Sequence, residues 1–207
     1  MERRIELSLL TFITNRNMKL SSILFYRTKH RYFVLFLLSM HGIIAVHAQG
    51  IATKEAAFKM YFADAAIERK TVFLTDDQVK AIQNESKAKV ESKLLPYYVA
   101  RRHGKIIGYA FIETRIMRTM PATFMIVFKP DRIIRAVELL AFTEPDDYKP
   151  SERWFAQFKD RAASSGLWFK RDIQNISGAT ISAQAITDAV RRVAATFKLA
   201  IPMEADK

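Results

Sequence analysis

Four small residues near the C-terminus, Ser177-Gly178-Ala179-Thr180, are the part of this sequence whose residue types point most directly to chemistry. Gly178 allows a tight backbone turn, and its small neighbours leave room for a ligand to approach closely. An amphipathic helical pattern follows at once, and the first amides of a helix attract negative charge. The run therefore predicts a site for an anion of phosphate size, with the hydroxyls of Ser177 and Thr180 beside it. A purely structural helix cap has the same pattern, and a P-loop is excluded because no lysine follows the glycine.

The chain offers few other reactive side chains. It has 207 residues, no cysteine and four histidines, of which His30, His41 and His47 precede residue 49. Without cysteine there can be no disulfide, thiol redox centre, iron–sulfur cluster or c-type haem attachment. His103 alone argues against a zinc site and against a Ser-His-Asp triad. We therefore expect no metal site and no catalytic residue, and any redox chemistry needs an organic cofactor.

The N-terminal segment has the pattern of a secretory signal peptide. A basic stretch precedes the apolar run Tyr32–Val46, and small residues stand at Val46 and Ala48, the −3 and −1 positions of a cleavage site. The run is shorter than the roughly 20 residues that a membrane-spanning helix needs. Residues 1–48 are therefore predicted to be a signal peptide, and translation from Met18 is an alternative start.

The predicted export determines in which compartment the mature protein lies and which partners it can meet. Cleavage after Ala48 gives a mature chain that begins at Gln49 and lies in the periplasm or another exported location. If residues 32–48 are retained instead, they anchor the protein in a membrane with its domain facing the periplasm. The formal net charge is +12, but the basic residues are spread among acidic ones. We expect a solvated basic surface near anionic lipid head groups and no nucleic-acid partner.

Strand patterns dominate the middle of the mature chain. A helix is predicted over Ala52–Phe62 and a short β-prone segment over Lys70–Leu74. A second helix is predicted after Thr75, which forms a capping-box pattern with Gln78. Apolar segments separated by turns then predict four strands: Tyr97–Arg101, Ile106–Thr114, Ala122–Phe128 and Ile133–Phe142. Because short local turns join these strands, the sheet is predicted to be antiparallel.

Two helices are predicted after this sheet. The polar loop Thr143–Pro150 leads to a helix over Ser151–Ala163, with Ser151 as its N-cap. The last helix is predicted over about Ser182–Leu199, with Ser182 as its N-cap, and its apolar spacing indicates that it docks on the sheet. The predicted fold class is therefore α+β, with an antiparallel sheet of about four strands and helices before and after it. One domain is expected, over residues 49–207.

The Ser-Gly-Ala-Thr turn in this setting resembles the flavinylation motif of FMN-binding domains. The resemblance extends to "HGKIIGYAFIET", "TFMIVFKPDRIIRAVELLAFTEP" and "RWFAQF", which follow the order of strands, acidic loop and aromatic helix in small exported members of that family. It covers about Val72–Val193. Similar domains include the covalent-FMN subunits of sodium-pumping quinone reductase and of Rnf electron-transport complexes. The resemblance implies FMN as cofactor, attached through its phosphate to a threonine hydroxyl.

The resemblance also implies roles for single residues. Thr180 matches the flavin acceptor, and Ser177, Gly178 and Ala179 match the turn that presents it. With Pro145, the two residues Thr143 and Glu144 fall where the family has an acidic loop beside the flavin, which implies that they line the flavin pocket.

Two features depart from the family pattern, and one of them is the loop "TEPDDYKP", which lacks the Gly-rich end seen in pump subunits. The family usually has an aspartate three residues before the serine of the motif, where this chain has Gln174. Asp172 lies two residues earlier. If the aspartate helps the modifying enzyme to recognise its target, this departure predicts less efficient flavinylation.

The function that the resemblance implies is electron transfer by an exported flavoprotein, as a carrier or redox subunit rather than a stand-alone enzyme. A separate flavin transferase, which supplies metal and base and uses FAD as donor, and membrane-linked redox proteins are the implied partners. Two alternatives stay open. One is a non-redox or non-covalent flavin-binding module, which Gln174 favours, and the other is an interaction domain anchored in a membrane by residues 32–48.

Overall fold

The described part of the chain comprises residues 54–203 of a computed structural model. The predicted signal peptide over residues 1–48 and the predicted mature N-terminus at Gln49 lie outside it. Within residues 54–203, no helix combines the length and the apolar character that crossing a membrane requires.

Five antiparallel strands form one sheet, and their order in the sheet is their order in the chain. Their bounds are β1 Ala66–Phe73, β2 Leu94–Arg102, β3 Lys105–Ile116, β4 Pro121–Phe128 and β5 Ile134–Phe142. The four predicted strands are confirmed, and the β-prone segment Lys70–Leu74 belongs to a fifth, β1. Most of β1 is exposed because it is an edge strand. Its first half therefore lacks the apolar alternation by which a strand is recognised in a sequence.

Four helices accompany the sheet in the described residues: α1 at 54–62, α2 at Asp76–Ser86, α3 at Glu152–Phe155 and α4 at Thr180–Ala200. The capping box of α2 is confirmed, since the Gln78 amide donates to the Thr75 hydroxyl and the Thr75 amide donates to the Gln78 side chain. The predicted cap of α3 is also present, because the Trp154 amide donates to the Ser151 hydroxyl.

The prediction of a helix over Ser151–Ala163 is wrong after its first turn. A 3-10 turn at Ala156–Phe158 follows α3, and Asp160 then takes a left-handed backbone conformation with φ 61°. The Asp160 amide donates to the Ile134 carbonyl, and the Ile134 amide donates to the Arg161 carbonyl. These bonds to the beginning of β5 replace helical bonds. These tertiary hydrogen bonds cannot be predicted from the spacing of the aromatic residues, which by itself indicates a helix.

Aromatic rings fill the face of the sheet that α4 covers. Phe111, Phe128 and Phe197 pack with ring centroids 5.0 to 5.6 Å apart. On the opposite face, α1 packs through Phe62. Gly108 of β3 makes this packing possible, because a Cβ there would lie 2.6 Å from the Phe128 carbonyl oxygen and 2.9 Å from the Phe62 ring. Because helices cover both faces, packing holds the sheet and thereby the positions of the turns at its ends.

Candidate functional site

The N-terminus of α4 begins without a side-chain cap. Its N-cap is Ala179, which makes no side-chain hydrogen bond to the helix. The first helical bond runs from the Ala183 amide to the Ala179 carbonyl at 2.9 Å. The amides of Thr180, Ile181 and Ser182 therefore precede the helical ladder. Together with the helix dipole, they form a setting that suits an anion.

The turn before α4 presents the Thr180 hydroxyl in an open setting. The Thr180 side chain is half-buried, and its hydroxyl donates to the Ile176 carbonyl at 3.2 Å. Gly178 has φ +83°, a left-handed conformation that glycine adopts without strain. A Cβ on Gly178 would have the Asp147 carbonyl oxygen, 3.8 Å away, as its nearest neighbour. Ser177 is exposed, so a ligand can approach the turn from solvent.

The predicted role of Ser182 as N-cap is wrong. The helix begins earlier, at Thr180, so Ser182 lies in the first turn with 1% of its surface exposed. Its hydroxyl oxygen is buried and has no hydrogen-bond partner among the described residues. A buried polar group without a partner costs about 1–3 kcal/mol.

The Glu144 carboxylate is committed to the turn between β3 and β4. Glu144 is 7% exposed and accepts hydrogen bonds from the amides of Arg118, Thr119 and Met120 at 3.0, 2.6 and 2.8 Å. The Thr119 amide first, and then the other donors, hold the pKa of Glu144 below its usual range. Glu144 is therefore an ionised anchor that fixes the conformation of residues 118–120.

The loop over residues 143–150 runs from β5 to α3 and passes close to the turn before α4. At its start, the Thr143 hydroxyl donates to the Pro121 carbonyl at 2.6 Å. Further along, the Asp147 carbonyl faces Gly178. The predicted loop residues and the predicted turn residues thus belong to neighbouring segments, although the side chains of Thr143 and Glu144 bond to the β3–β4 end.

A cation–π pair that includes a residue of this loop was not predicted from the sequence. The Arg118 guanidinium lies 4.2 Å from the centre of the Tyr148 ring, and Arg118 is exposed while Tyr148 is half-buried. The two residues are far apart in the chain and belong to no recognised motif. No sequence signal links them, and the contacts of Glu144 and Thr143 with the β3–β4 end bring their segments together.

Gln174 and Asp172 have separate environments. The Gln174 amide donates to the Gln157 side chain at 2.8 Å, its carbonyl accepts from the Trp154 indole at 2.7 Å, and its side chain is exposed. The Asp172 carboxylate accepts from the Trp168 amide at 2.8 Å and pairs with Arg171. The hydrogen bond from Arg171 and that from the Trp168 amide lower the pKa of Asp172. Asp172 is thus held in its own local turn.

The model of the FMN-binding domain family matches residues 98–195 of the chain. This range contains the loop with Thr143 and Glu144 and the Ser-Gly-Ala-Thr turn. The chain carries an FMN-binding domain. FMN is the cofactor that this domain indicates. No curated protein matches the chain.

The turn before α4 fits the phosphate end of FMN on three observations. The space in front of Gly178 is open, the first turn of α4 lacks a side-chain cap, and Ser182 contributes an unpartnered hydroxyl to the same turn. In an FMN-binding domain, Thr180 and the neighbouring amides are the groups that would hold the phosphate. Among residues 54–203, no cluster of histidine and acidic side chains could hold a metal ion.

A groove of about 720 Å³ borders the same loop. Residues of α1, β5, α3 and the loop line it, including Tyr61, Glu138, Lys149 and Phe155. The Tyr61 hydroxyl donates to Glu138 at 2.7 Å, and burial, with this contact, raises the pKa of Tyr61 to about 12. None of the predicted site residues lines the groove, so we do not assign it to the cofactor.

Proposed function

We propose that this protein is an exported electron-transfer flavoprotein that carries FMN through a phosphoester to Thr180. The observation that supports this most strongly is the Thr180 hydroxyl itself. It stands at the uncapped N-terminus of a long helix, on an open glycine turn, inside an FMN-binding domain. The amides of the first turn of α4 stabilise the phosphate charge once the ester has formed.

The domain presents the hydroxyl but does not activate it. The one hydrogen bond of the Thr180 hydroxyl goes to a backbone carbonyl, which is not basic enough to remove its proton. We therefore propose that a flavin transferase supplies base and metal, with FAD as donor. A bond forms between Thr180 Oγ1 and the flavin-bearing phosphorus, the pyrophosphate bond of FAD breaks, AMP leaves, and the hydroxyl proton passes to the base of the transferase.

Covalent attachment suits the compartment that the N-terminal pattern predicts. Outside the cytoplasm free FMN is scarce, so a cofactor bound only by weak contacts would be lost. We propose that the mature chain begins at Gln49 in the periplasm and exchanges electrons with membrane-linked redox proteins. N-terminal sequencing of the periplasmic protein tests this. A chain that retains Tyr32–Val46 and fractionates with membranes would favour the anchored alternative.

The decisive experiment is coexpression with a flavin transferase, followed by intact mass analysis. The wild type should gain the mass of FMN less one water and keep its yellow colour after denaturation. Thr180→Val nearly preserves the shape and removes the hydroxyl, so it should fold and stay colourless. Ser92→Ala, which removes an exposed hydroxyl from the loop before β2, outside the Ser-Gly-Ala-Thr turn, is the control and should remain yellow.

Two results would count against this assignment. If Thr180→Val still gains the mass, the acceptor is another residue. If the wild type never gains it, Gln174 is the first suspect, and Gln174→Asp is the variant that should restore the attachment.

A second candidate function is non-covalent FMN binding without a redox role, which Gln174 in place of the family aspartate favours. Its signature is a flavin that copurifies with the folded protein and is released completely on denaturation, with no change in the mass of the chain.

A further inference from the structure

We propose that the Arg118–Tyr148 pair is the docking surface for the isoalloxazine ring of FMN, and that the Arg118 charge raises the reduction potential of the flavin. This inference rests on the proposed attachment at Thr180. It adds the residues that would hold the ring, which the sequence pattern does not identify.

Position is the first argument. The Asp147 carbonyl is the nearest neighbour of the open space at Gly178, and Tyr148 is the next residue of the loop. Arg118 lies over the Tyr148 ring at 4.2 Å. The pair is therefore one residue away from the contact between the loop and the turn that presents Thr180. The ribityl chain of FMN separates its ring from its phosphate and can bridge such a gap.

Exposed apolar surface is the second argument. Met120, on the same turn as Arg118, is 44% exposed, and Ile181, next to Thr180, is 52% exposed. A planar aromatic ring that docks on these residues would cover apolar surface that now faces solvent.

The third argument is the way in which the arginine is held. Glu144 accepts from the amides of Arg118, Thr119 and Met120, which fixes the turn that carries the guanidinium. A guanidinium is planar and permanently charged, and it stacks well on aromatic surfaces. A fixed positive charge close to a flavin favours the reduced, anionic form of the ring. Glu144 then acts as a positioning residue, since its carboxylate is occupied by the three amides.

The test uses the full chain coexpressed with a flavin transferase, and intact mass is measured first for every variant. In the wild type, flavin fluorescence should be weaker and its anisotropy higher than after denaturation, because the ring is immobilised against the Arg118–Tyr148 pair. Tyr148→Leu should at least double the fluorescence of the folded protein. Arg118→Gln should lower the midpoint potential, whereas Arg118→Lys should retain most of the wild-type potential because it keeps the charge.

Lys105→Gln is the matched control, since it removes one exposed positive charge at the other end of β3. That strand has 12 residues, so its ends lie about 36 Å apart at roughly 3.3 Å per residue. The control should change neither fluorescence nor potential.

Two results would overturn the docking surface while leaving the attachment intact. One is a wild-type flavin of full mass that is as mobile and as fluorescent as in the denatured protein. The other is a potential that falls equally in Arg118→Gln and Lys105→Gln. If neither these proteins nor Gln174→Asp gains the mass of FMN, the attachment itself is refuted, and the docking surface falls with it.

Discussion

Replacing Ser182 with alanine should make the protein more stable, although the sequence pattern predicts the opposite. A helix cap contributes about 1 kcal/mol, and its removal would destabilise the protein by that amount. The Ser182 hydroxyl, however, is buried in the first turn of α4 without a partner. Removing such a group recovers part of its desolvation cost of about 1–3 kcal/mol. Alanine also has the higher helix propensity, by up to about 0.5 kcal/mol.

We therefore expect a gain of about 1–2 kcal/mol in the free energy of unfolding, and for a domain of this size a rise in Tm of roughly 2–8 °C. Urea unfolding of the flavin-free protein, followed by tryptophan fluorescence, measures the first quantity. Calorimetry measures the second.

Ser86 provides a matched control in another helix. It is also fully buried, but its hydroxyl donates to the Ile82 carbonyl at 2.7 Å. Ser86→Ala should lose about 1 kcal/mol, because it removes a satisfied hydrogen bond. If Ser182→Ala and Ser86→Ala lose the same stability, the Ser182 hydroxyl has a partner, and the reasoning from its isolation is refuted.

Three further substitutions test the surroundings of the site and the packing of the sheet. Glu144→Gln should lower the free energy of unfolding most at neutral pH. The pKa of Glu144 in the folded protein lies below the usual carboxyl value, so the ionised carboxylate stabilises the wild type above the ordinary pKa. This stabilisation is lost as the pH falls through the folded-state pKa. Urea midpoints of both proteins measured from acid to neutral pH should converge in acid, and a constant gap would contradict the pKa argument. Gly178→Ala should cost about 1–2 kcal/mol from backbone strain at φ +83° without any clash. Gly108→Ala should cost more, since its Cβ would meet the Phe128 backbone, and equal urea midpoints for the two variants would contradict this distinction.

The strands and the cofactor could be predicted from the sequence because both depend on local patterns. Apolar segments with turn residues between them gave the positions of β2 to β5, and the Ser-Gly-Ala-Thr turn before a helix pointed to the family. The predictions failed where distant segments decide the local structure. The segment after α3 bonds to the beginning of β5 instead of remaining helical. Serine is a common N-cap residue, but α4 begins at Thr180, so Ser182 lies inside the helix.

Arg118 and Tyr148 illustrate the same limit at the site. Their segments meet where Glu144 reaches from the loop back to the β3–β4 turn. A sequence contains the identity of all three residues but not the path of the loop. The resemblance therefore singled out Glu144, while its hydrogen bonds to the amides of residues 118–120 could not be read from the sequence.

The hydrogen bond between the Trp154 indole and the Gln174 carbonyl gives the protein an internal optical reporter. Trp154 is one of only two tryptophans in the sequence, and it is anchored to the backbone just upstream of the proposed flavin acceptor. Indole emission overlaps flavin absorption, so excitation energy should pass from Trp154 to a flavin at Thr180 whenever one is present. The other tryptophan, Trp168, lies against the Arg191 guanidinium at 4.2 Å, and its replacement by phenylalanine would leave Trp154 as a single donor. Loading of the domain could then be followed in real time, without a label, as the loss of ultraviolet emission.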